Sequence, residues 1–311
     1  MPSISGLRHK FCKSVTKKDV RLDVKGIILA GGNGTRLYPS TVAVSKQLLP
    51  VYDKPMIFYP LSTLMLANIR DILVITNAEH TEQFHKLLGD GSKFGLSLHY
   101  AIQSSPKGIP DAFSVGKHFV GSSDVVLMLG DNILFGSALS SILQNSMNKN
   151  VGATIFTYPV RETEKFGILS LDETGKAIRV DEKPQNSRSN LAITGIYIFQ
   201  NDVIKMAQKL RSSERGETEI TDIIRTYMDQ ERLQNITLGR GFSWFDTGTP
   251  SSLLSASHFI QTIEDRQGFK IACLEEIALL NGWLSAGDLI NQISNAPSNC
   301  YNKYLHKLIS N

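Results

Sequence analysis

The sequence predicts an α/β protein with a mixed, mostly parallel central sheet flanked by helices. Apolar, β-branched runs such as GIILA, DILVIT and DVVLML recur along the first half of the chain. Each run ends in a glycine or polar turn, and a segment with helical spacing follows. Strands that are apolar on both faces are typical of parallel sheets covered by helices.

The individual elements follow from these patterns. Strands at 26–30, 71–76 and 124–129 are the apolar runs, and residues 96–102 alternate as a fourth strand. Helical spacing predicts the helices that separate them, with Pro110 tolerated in a first turn. These helices are placed at 56–67, 81–88, 111–120 and 137–147.

The second half of the chain changes character. A strand at 151–158 continues the sheet, and turns such as DETG and KPQNSRSN separate further strands at 167–171, 177–181 and 192–199, as in an antiparallel addition. Helices are expected at 202–210 and 220–230. We expect three parts: a basic, disordered leader (1–24), a core with halves near 25–132 and 133–248, and a helical C-terminal part (249–311).

Composition excludes several classes of protein. The 311 residues are 41% hydrophobic and 20% charged, the usual range of globular enzymes, and no run approaches the ~18–20 apolar residues of a membrane helix. A net charge of +4 from interspersed residues argues against nucleic-acid binding. Three scattered cysteines form neither a disulfide framework nor a zinc motif. We therefore expect no membrane and no nucleic-acid partner, and a cytoplasmic location.

A glycine-rich loop follows the first strand. Gly31-Gly32-Asn33-Gly34-Thr35-Arg36 could wrap an anion with its backbone amides, although a purely structural turn explains the glycines equally well. The loop lacks the Lys-Ser/Thr of a P-loop and the third glycine of a dinucleotide fingerprint, which disfavours an oxidoreductase. Arg36 favours a polyphosphate ligand.

Three further charged residues are candidates. Lys46 lies close to the loop in sequence and either adds positive charge or is solvated. Asp131 follows an apolar strand, where α/β proteins bind ligands, and either holds Mg²⁺ or caps a helix. Asp246, in WFDTGT, has the same two interpretations.

Two more motifs carry charge. Lys183, in the sequence EKP, either meets a phosphate or is a charged strand end. Glu217, in GETEITD, either accepts sugar hydroxyls or favours a helix dipole.

Taken together, the blocks GGNGTRLYP, SKQLLPVYDKP, GDN, EKP, GETEITD and WFDTGT resemble the sugar-nucleotidyltransferases in order and spacing. Residues 25 to about 266 are similar to the glucose-1-phosphate thymidylyltransferase group in particular. The resemblance implies the nucleotide-diphospho-sugar transferase fold, with Mg²⁺ as cofactor. It implies dTTP and α-D-glucose 1-phosphate as substrates and dTDP-glucose and pyrophosphate as products. This reaction is commonly the first step toward dTDP-L-rhamnose and other deoxysugars, which are used in cell-surface polysaccharide. It also implies a homotetramer, with the C-terminal part serving assembly and feedback.

The resemblance also implies residue roles. Catalysis is assigned to Arg36, Lys46, Asp131, Lys183 and Asp246, with Asp131 and Asp246 as metal ligands. The nucleotide is assigned to Leu29, Gly31, Gly32, Gly34, Thr35, Arg36, Gln47, Gln103, Gly108 and Asp131. The sugar phosphate is assigned to Gly167, Glu182, Lys183, Thr194, Gly195 and Glu217.

Some residues depart from the family pattern. Pro110 and Asp111 stand where an Ala-Gln pair is usual, and Phe166 stands where tyrosine is common. These positions bear on the preference for nucleotide and sugar. The alternatives are a related transferase that uses UTP or another sugar phosphate, and a non-catalytic protein that binds sugar nucleotides.

Overall fold

The structure, a computed structural model, describes residues 23–105, 107–213 and 216–310. All but the last two residues of the predicted basic leader lie outside the described residues. The strands are β1 Val24–Ala30, β2 Pro50–Val51, β3 Lys54–Pro55, β4 Asp71–Thr76, β5 Ser97–Ile102, β6 Asp124–Leu129, β7 Asn132–Gly136, β8 Ala153–Pro159, β9 Gly167–Leu171, β10 Ala177–Glu182, β11 Leu191–Phe199, β12 Leu233–Thr237 and β13 Phe242–Asp246.

The helices are α1 Phe58–Leu66, α2 Thr81–Leu88, α3 Asp111–Val115, α4 Lys117–Val120, α5 Leu139–Lys149, α6 Val203–Ala207, α7 Ile220–Asp229, α8 Pro250–Gln267, α9 Leu274–Leu280, α10 Ala286–Ile293 and α11 Cys300–Ser310. Short 3₁₀ turns connect several of these elements. No helix within the described ranges is long and apolar enough to cross a membrane.

The central sheet has a parallel and an antiparallel half. Strands β6, β1, β4 and β5 are neighbours and run parallel. Strand β11 pairs antiparallel with β6, β8 and β9, and β10 closes that edge. The predicted mixed sheet is therefore confirmed. Successive side chains of a strand point to opposite faces of the sheet, so the core has two parts. Ile28 and Met128 pack on one face of the sheet, and Ile27 and Leu127 pack on the other.

The sequence does not predict five of the strands, namely the two-residue strands β2 and β3 and the five-residue strands β7, β12 and β13. Strand β12 pairs with β8, and β13 forms a separate two-stranded ladder with β7. The NILFG segment of β7 follows β6 after only two residues, and the sequence patterns predict no element there. Strands β7, β12 and β13 have only five residues each, and only the first three residues of β7 are fully buried, so no long apolar run marks these strands.

The C-terminal helices predicted after residue 249 are present and pack on the core. Helix α8 contacts β2 and β13, and α9 contacts α1. A buried ion pair fastens α8 to the β2–β3 hairpin, because Nζ of Lys54 lies 2.9 Å from the carboxylate of Glu264. Helices α10 and α11 pack together around the apolar side chains of Leu289 and Leu305.

Candidate active site

The pairing of β7 with β13 brings two distant acids together. In this antiparallel ladder Asn132 lies opposite Asp246, so the residue before β7, Asp131, lies beside the end of β13. The hydroxyl of Thr247 donates to the backbone carbonyl of Asp131 at 2.7 Å, and the backbone amide of Thr247 does so at 3.1 Å. One short ladder therefore brings together two aspartates that are 115 residues apart in the sequence.

Asp131 forms an ion pair with Lys46. Burial alone would raise the pKa of the Asp131 carboxyl, but the Lys46 ammonium and a hydrogen bond from Asn132 lower that pKa below its ordinary value. Lys46 is only 8% exposed, so its alternative interpretation as a solvated lysine is wrong. Asp131 also does not cap the next helix, because strand β7 follows it directly.

Asp246 has the opposite pKa shift. Burial, followed by repulsion from Asp131, raises the pKa of Asp246, and attraction by Lys46 and Arg36 only partly offsets this. The cap of α8 is Thr249, so Asp246 is not a helix cap. Arg36 lies close by: a Cβ added to Gly248 would be 2.5 Å from Nη2 of Arg36 and 3.0 Å from Oδ1 of Asp246.

Asn132 connects Asp131 to Gly195 and Trp244 through its side-chain amide. The sequence predicts no role for this residue. Its Nδ2 donates to Asp131 at 2.9 Å, and its Oδ1 accepts from the backbone N–H of Gly195 at 3.0 Å and from Nε1 of Trp244 at 2.6 Å. The GDN motif is the available signal, but the sequence interpretation of that motif concerns only its aspartate, Asp131. Gly195 must lack a side chain here, because a Cβ would lie 2.5 Å from Cγ of Asn132.

A cavity of about 510 Å³ lies in front of this cluster. Eight of the predicted site residues line it: Arg36, Asp131, Gly167, Glu182, Lys183, Gly195, Glu217 and Asp246. Its wall also includes residues without a predicted role, among them Asn132, Lys165, Tyr197, Thr221 and Trp244. The cavity therefore joins motifs from both halves of the chain.

Lys183 has an unusual backbone conformation at the edge of the cavity. Its φ is +45°, a region that non-glycine residues rarely adopt, and its backbone N–H donates to the carbonyl of Phe166 at 3.0 Å. Its Nζ lies 3.7 Å from the carboxylate of Glu182, which also accepts from Thr221 at 3.2 Å. Backbone strain of this kind is concentrated at functional sites.

Three of the glycines predicted to bind the nucleotide lie in close contact with neighbouring residues. Gly34 has a φ of +60°, and a Cβ there would lie 3.2 Å from Cβ of Lys46. Gly31 adjoins Gln103. Gly108 has a φ of +102°, and a Cβ there would collide with the carbonyl oxygen of Thr218, at 2.0 Å. The glycines are thus required by close approach as well as by turns.

Several predicted residues do not line the cavity. Thr194 is fully buried, and its hydroxyl has no hydrogen-bond partner among the described residues. Glu217 lines the cavity but lies three residues before α7, so it does not sit in that helix. The others outside the cavity wall are Leu29, Gly31, Gly32, Gly34, Thr35, Lys46, Gln47, Gln103 and Gly108.

The two acids suit a magnesium ion but do not form a complete protein cage. Within residues 23–105, 107–213 and 216–310, no group of three His, Cys, Asp or Glu side chains could hold a metal ion. Mg²⁺ commonly binds through one or two carboxylates together with substrate phosphates and waters. The repulsion that raises the pKa of Asp246 is the interaction that a divalent cation would relieve. The donor set therefore fits Mg²⁺ bound together with a phosphate-bearing substrate.

Comparison with known proteins agrees with this geometry. The nucleotidyl transferase family model matches residues 25–263. Glucose-1-phosphate thymidylyltransferase of Neisseria gonorrhoeae is 51% identical over 92% of this chain and 99% of its own length. The enzyme of the same name from Mycobacterium tuberculosis (strain H37Rv) is 46% identical over 92% of this chain and 99% of its own length.

A solved structure has the same fold. The crystal structure of a proposed glucose-1-phosphate thymidylyltransferase from Bacillus anthracis, in complex with a sucrose, matches with a TM-score of 0.70 and 37% identity. The match covers 76% of this chain and 94% of that one. The expected resemblance and fold are confirmed, and the chain belongs to the nucleotidyl transferase family, within its glucose-1-phosphate thymidylyltransferase group.

Proposed function

We propose that this protein is an enzyme that makes dTDP-glucose and pyrophosphate from dTTP and α-D-glucose 1-phosphate. The observation that carries the proposal is the placement of Asp131 and Asp246 together at one cavity that Arg36 and Lys183 also line. About 50% identity to glucose-1-phosphate thymidylyltransferases over nearly the whole chain supports the choice of substrates.

The reaction needs no covalent enzyme group. A phosphate oxygen of glucose 1-phosphate attacks the α-phosphorus of dTTP, the new P–O bond forms, and the bond to pyrophosphate breaks in line. The main obstacle is repulsion between two anions, so positioning and charge neutralisation supply most of the catalysis. The buried surroundings of the acids strengthen these electrostatic interactions.

Each positive group has a proposed task. The glycine loop and Arg36 hold the triphosphate and stabilise the departing pyrophosphate. Lys46 stands beside the phosphates and keeps Asp131 ionised through their ion pair. Lys183 binds the phosphate of glucose 1-phosphate, and its fixed backbone conformation limits where its ammonium can reach.

Asp131 and Asp246 are the proposed ligands of Mg²⁺. When bound, Mg²⁺ supplies positive charge at the α-phosphate. Both residues line the cavity, and Asn132 fixes the orientation of the Asp131 carboxylate through its hydrogen bond.

The remaining assignments follow the family resemblance. Gly167, Glu182, Thr194, Gly195 and Glu217 contact the sugar. The nucleotide contacts are Leu29, Gly31, Gly32, Gly34, Thr35, Gln47, Gln103 and Gly108. Lining of the cavity by Gly167, Glu182, Gly195 and Glu217 supports the sugar side of this division. The proposed core accordingly spans 25–248, with its nucleotide half near 25–132 and its sugar half near 133–248.

We assign the C-terminal part, 249–311, to assembly as a homotetramer and to feedback regulation by a dTDP-sugar. The proposed location is the cytoplasm, and the proposed reaction is the first step of dTDP-deoxysugar synthesis, such as that of dTDP-L-rhamnose. Neither a nucleic-acid partner nor a membrane enters the proposal.

A pyrophosphate-release assay over a panel of nucleotides and sugar phosphates tests the activity. We expect the highest kcat/KM with dTTP and glucose 1-phosphate. UTP should be used with a kcat/KM about 10–200-fold lower, because one methyl group is worth only ~1–3 kcal/mol. A preference for UTP or for another sugar phosphate would favour a related transferase. Binding of dTDP-glucose without pyrophosphate release from any pair would favour a non-catalytic protein.

A further inference from the structure

We infer that Asp111 is a positioning residue that fixes the side-chain amide of Gln103 in one orientation and so restricts which bases the nucleotide site accepts. The inference rests on the proposed function and on the family resemblance, which implies that Gln103 and the backbone of Gly108 contact the thymine base. It concerns a residue that departs from the family pattern.

The two residues meet at the carboxyl edge of the parallel strands. Gln103 directly follows β5, and its backbone N–H donates to the carbonyl of Thr76 at 2.8 Å. Asp111 is the first residue of α3, behind Pro110 at the N-cap. The Nε2 of Gln103 donates to Oδ2 of Asp111 at 2.8 Å.

The chemistry of the pair permits only one arrangement. An ionised carboxylate accepts hydrogen bonds and donates none, so the atom of the Gln103 amide that faces it must be the nitrogen. A charge-assisted hydrogen bond of this kind is stronger than a neutral one. The carbonyl oxygen Oε1 is therefore turned away from Asp111.

The opposite end of the amide faces the glycine loop. A Cβ added to Gly31 would lie 2.9 Å from Oε1 of Gln103, so Oε1 adjoins the backbone of the loop that is proposed to hold the nucleotide. Among the described residues no donor is hydrogen-bonded to Oε1. This acceptor and the second N–H of Nε2 are the parts of the amide that remain for a ligand.

A fixed acceptor discriminates between pyrimidines. Thymine and uracil carry a hydrogen at N3 and can donate to Oε1, whereas N3 of cytosine is itself an acceptor. Turning the amide to suit cytosine would put Oε1 against the carboxylate of Asp111 and break the existing hydrogen bond. An amide at position 111 has both a donor and an acceptor, so it would pair with Gln103 in either orientation.

The test compares wild type with Asp111→Asn and Asp111→Gln, using dTTP, UTP and dCTP with glucose 1-phosphate. In both variants we expect the ratio of kcat/KM for dTTP to that for dCTP to fall by about tenfold or more, since leaving a buried polar group unpaired is what rejects the wrong base. The change should lie mainly in the KM for dCTP. The ratio of dTTP to UTP should change by less than about twofold, because both bases donate from N3.

Asp71→Asn is the matched control. Asp71 is half-exposed at the amino end of β4, at the opposite edge of the sheet. Its substitution should leave the ratios of kcat/KM between nucleotides unchanged. Equilibrium binding of dTTP and dCTP to the same proteins gives a readout independent of turnover. If wild type releases no pyrophosphate, the proposed function fails, and the binding ratios still test Asp111. Unchanged dTTP-to-dCTP ratios in both Asp111 variants, in turnover or in binding, would overturn the inference.

Discussion

The hydroxyl and the backbone amide of Thr247 both donate to the backbone carbonyl of Asp131, at 2.7 and 3.1 Å. Thr247 is fully buried, directly after β13. Its two hydrogen bonds extend the β7–β13 ladder by one step and hold the backbone of Asp131 against the strand that carries Asp246. The geometry of the acid pair therefore depends on a residue that is not itself charged.

Replacement of Thr247 by valine tests this dependence. Thr247→Val keeps the shape of the side chain and removes one donor, so the free energy of unfolding should fall by about 1 kcal/mol. The kcat should fall by about tenfold or more, because a small displacement of a catalytic group has a large effect on rate. Urea unfolding and steady-state kinetics measure the two effects. Thr247→Ser retains the hydroxyl and should stay near wild type; equal kinetics for both variants would contradict the proposed dependence.

Asp131→Asn tests the proposed metal ligand. The change removes a negative charge at the centre of the site and leaves the buried Lys46 without its ionic partner. We expect kcat to fall by at least ~10²-fold, the magnitude typical of losing one electrostatic stabiliser. Asp172→Asn, in an exposed turn between β9 and β10, is the control and should leave kcat unchanged. Near-normal turnover of Asp131→Asn at saturating Mg²⁺ would remove Asp131 from the metal site.

Lys183→Ala tests the proposed sugar-phosphate contact. Because the Lys183 side chain lines the cavity beside Glu182, its loss should raise the KM for glucose 1-phosphate and change the KM for dTTP little. The loss of one hydrogen bond to a charged group corresponds to roughly 10–100-fold in kcat/KM for the sugar phosphate. Lys205→Ala, on the exposed side of α6, is the control. Impaired dependence on dTTP with intact dependence on glucose 1-phosphate would contradict the assignment.

The raised pKa of Asp246 predicts a pH-dependent stability. A carboxyl whose pKa is higher in the folded protein than in the unfolded chain stabilises the fold below the unfolded pKa, and that contribution is lost as the pH rises through the folded pKa. Asp246→Asn cannot ionise. In the absence of Mg²⁺, its free energy of unfolding relative to wild type should therefore be more favourable at pH 7 than at about pH 3.5, where the aspartate is largely protonated in both states.

Urea denaturation at the two pH values measures this difference. Added Mg²⁺ with nucleotide at pH 7 should stabilise wild type more than Asp246→Asn, because binding to the folded state alone shifts the equilibrium. A variant that tracks wild type at both pH values would show that burial of Asp246 carries no electrostatic cost.

Much of the fold and part of the site could be predicted from the sequence, for identifiable physical reasons. Strands β1, β4 and β6 are buried on both faces, so their apolar runs are unmistakable. The adjacent glycines and charges marked the site because they follow such strands. Strand β7, which lies between Gly130-Asp131 and an amphipathic helix, has no comparable run.

The proximity of Asp131 and Asp246 could not be derived from the sequence, because it depends on the pairing of two strands separated by 105 residues. The hydrogen bonds of Asn132 could not be predicted for the same reason, because its partners Gly195 and Trp244 lie on strands distant in sequence. Which residues meet at the site depends on the pairing of strands that are distant in sequence, and local sequence patterns do not encode that pairing.

The buried ion pair between Lys54 and Glu264 gives a last prediction, on the attachment of the C-terminal helices. The two side chains are 2% and 4% exposed, and Lys270 also pairs with Glu264, at 2.7 Å. Both lysines also pair with Asp53, so the cluster has two ammonium groups and two carboxylates. Lys54→Met leaves two carboxylates for Lys270 alone, and breaking a buried ion pair typically costs ~3–5 kcal/mol, so the free energy of unfolding should fall by about 3 kcal/mol. Lys176→Met breaks an exposed pair with Glu231 and should lower the free energy of unfolding far less, because solvent screens exposed ion pairs. Equal losses in the two variants, measured by urea unfolding, would mean that the C-terminal helices are held by apolar packing alone.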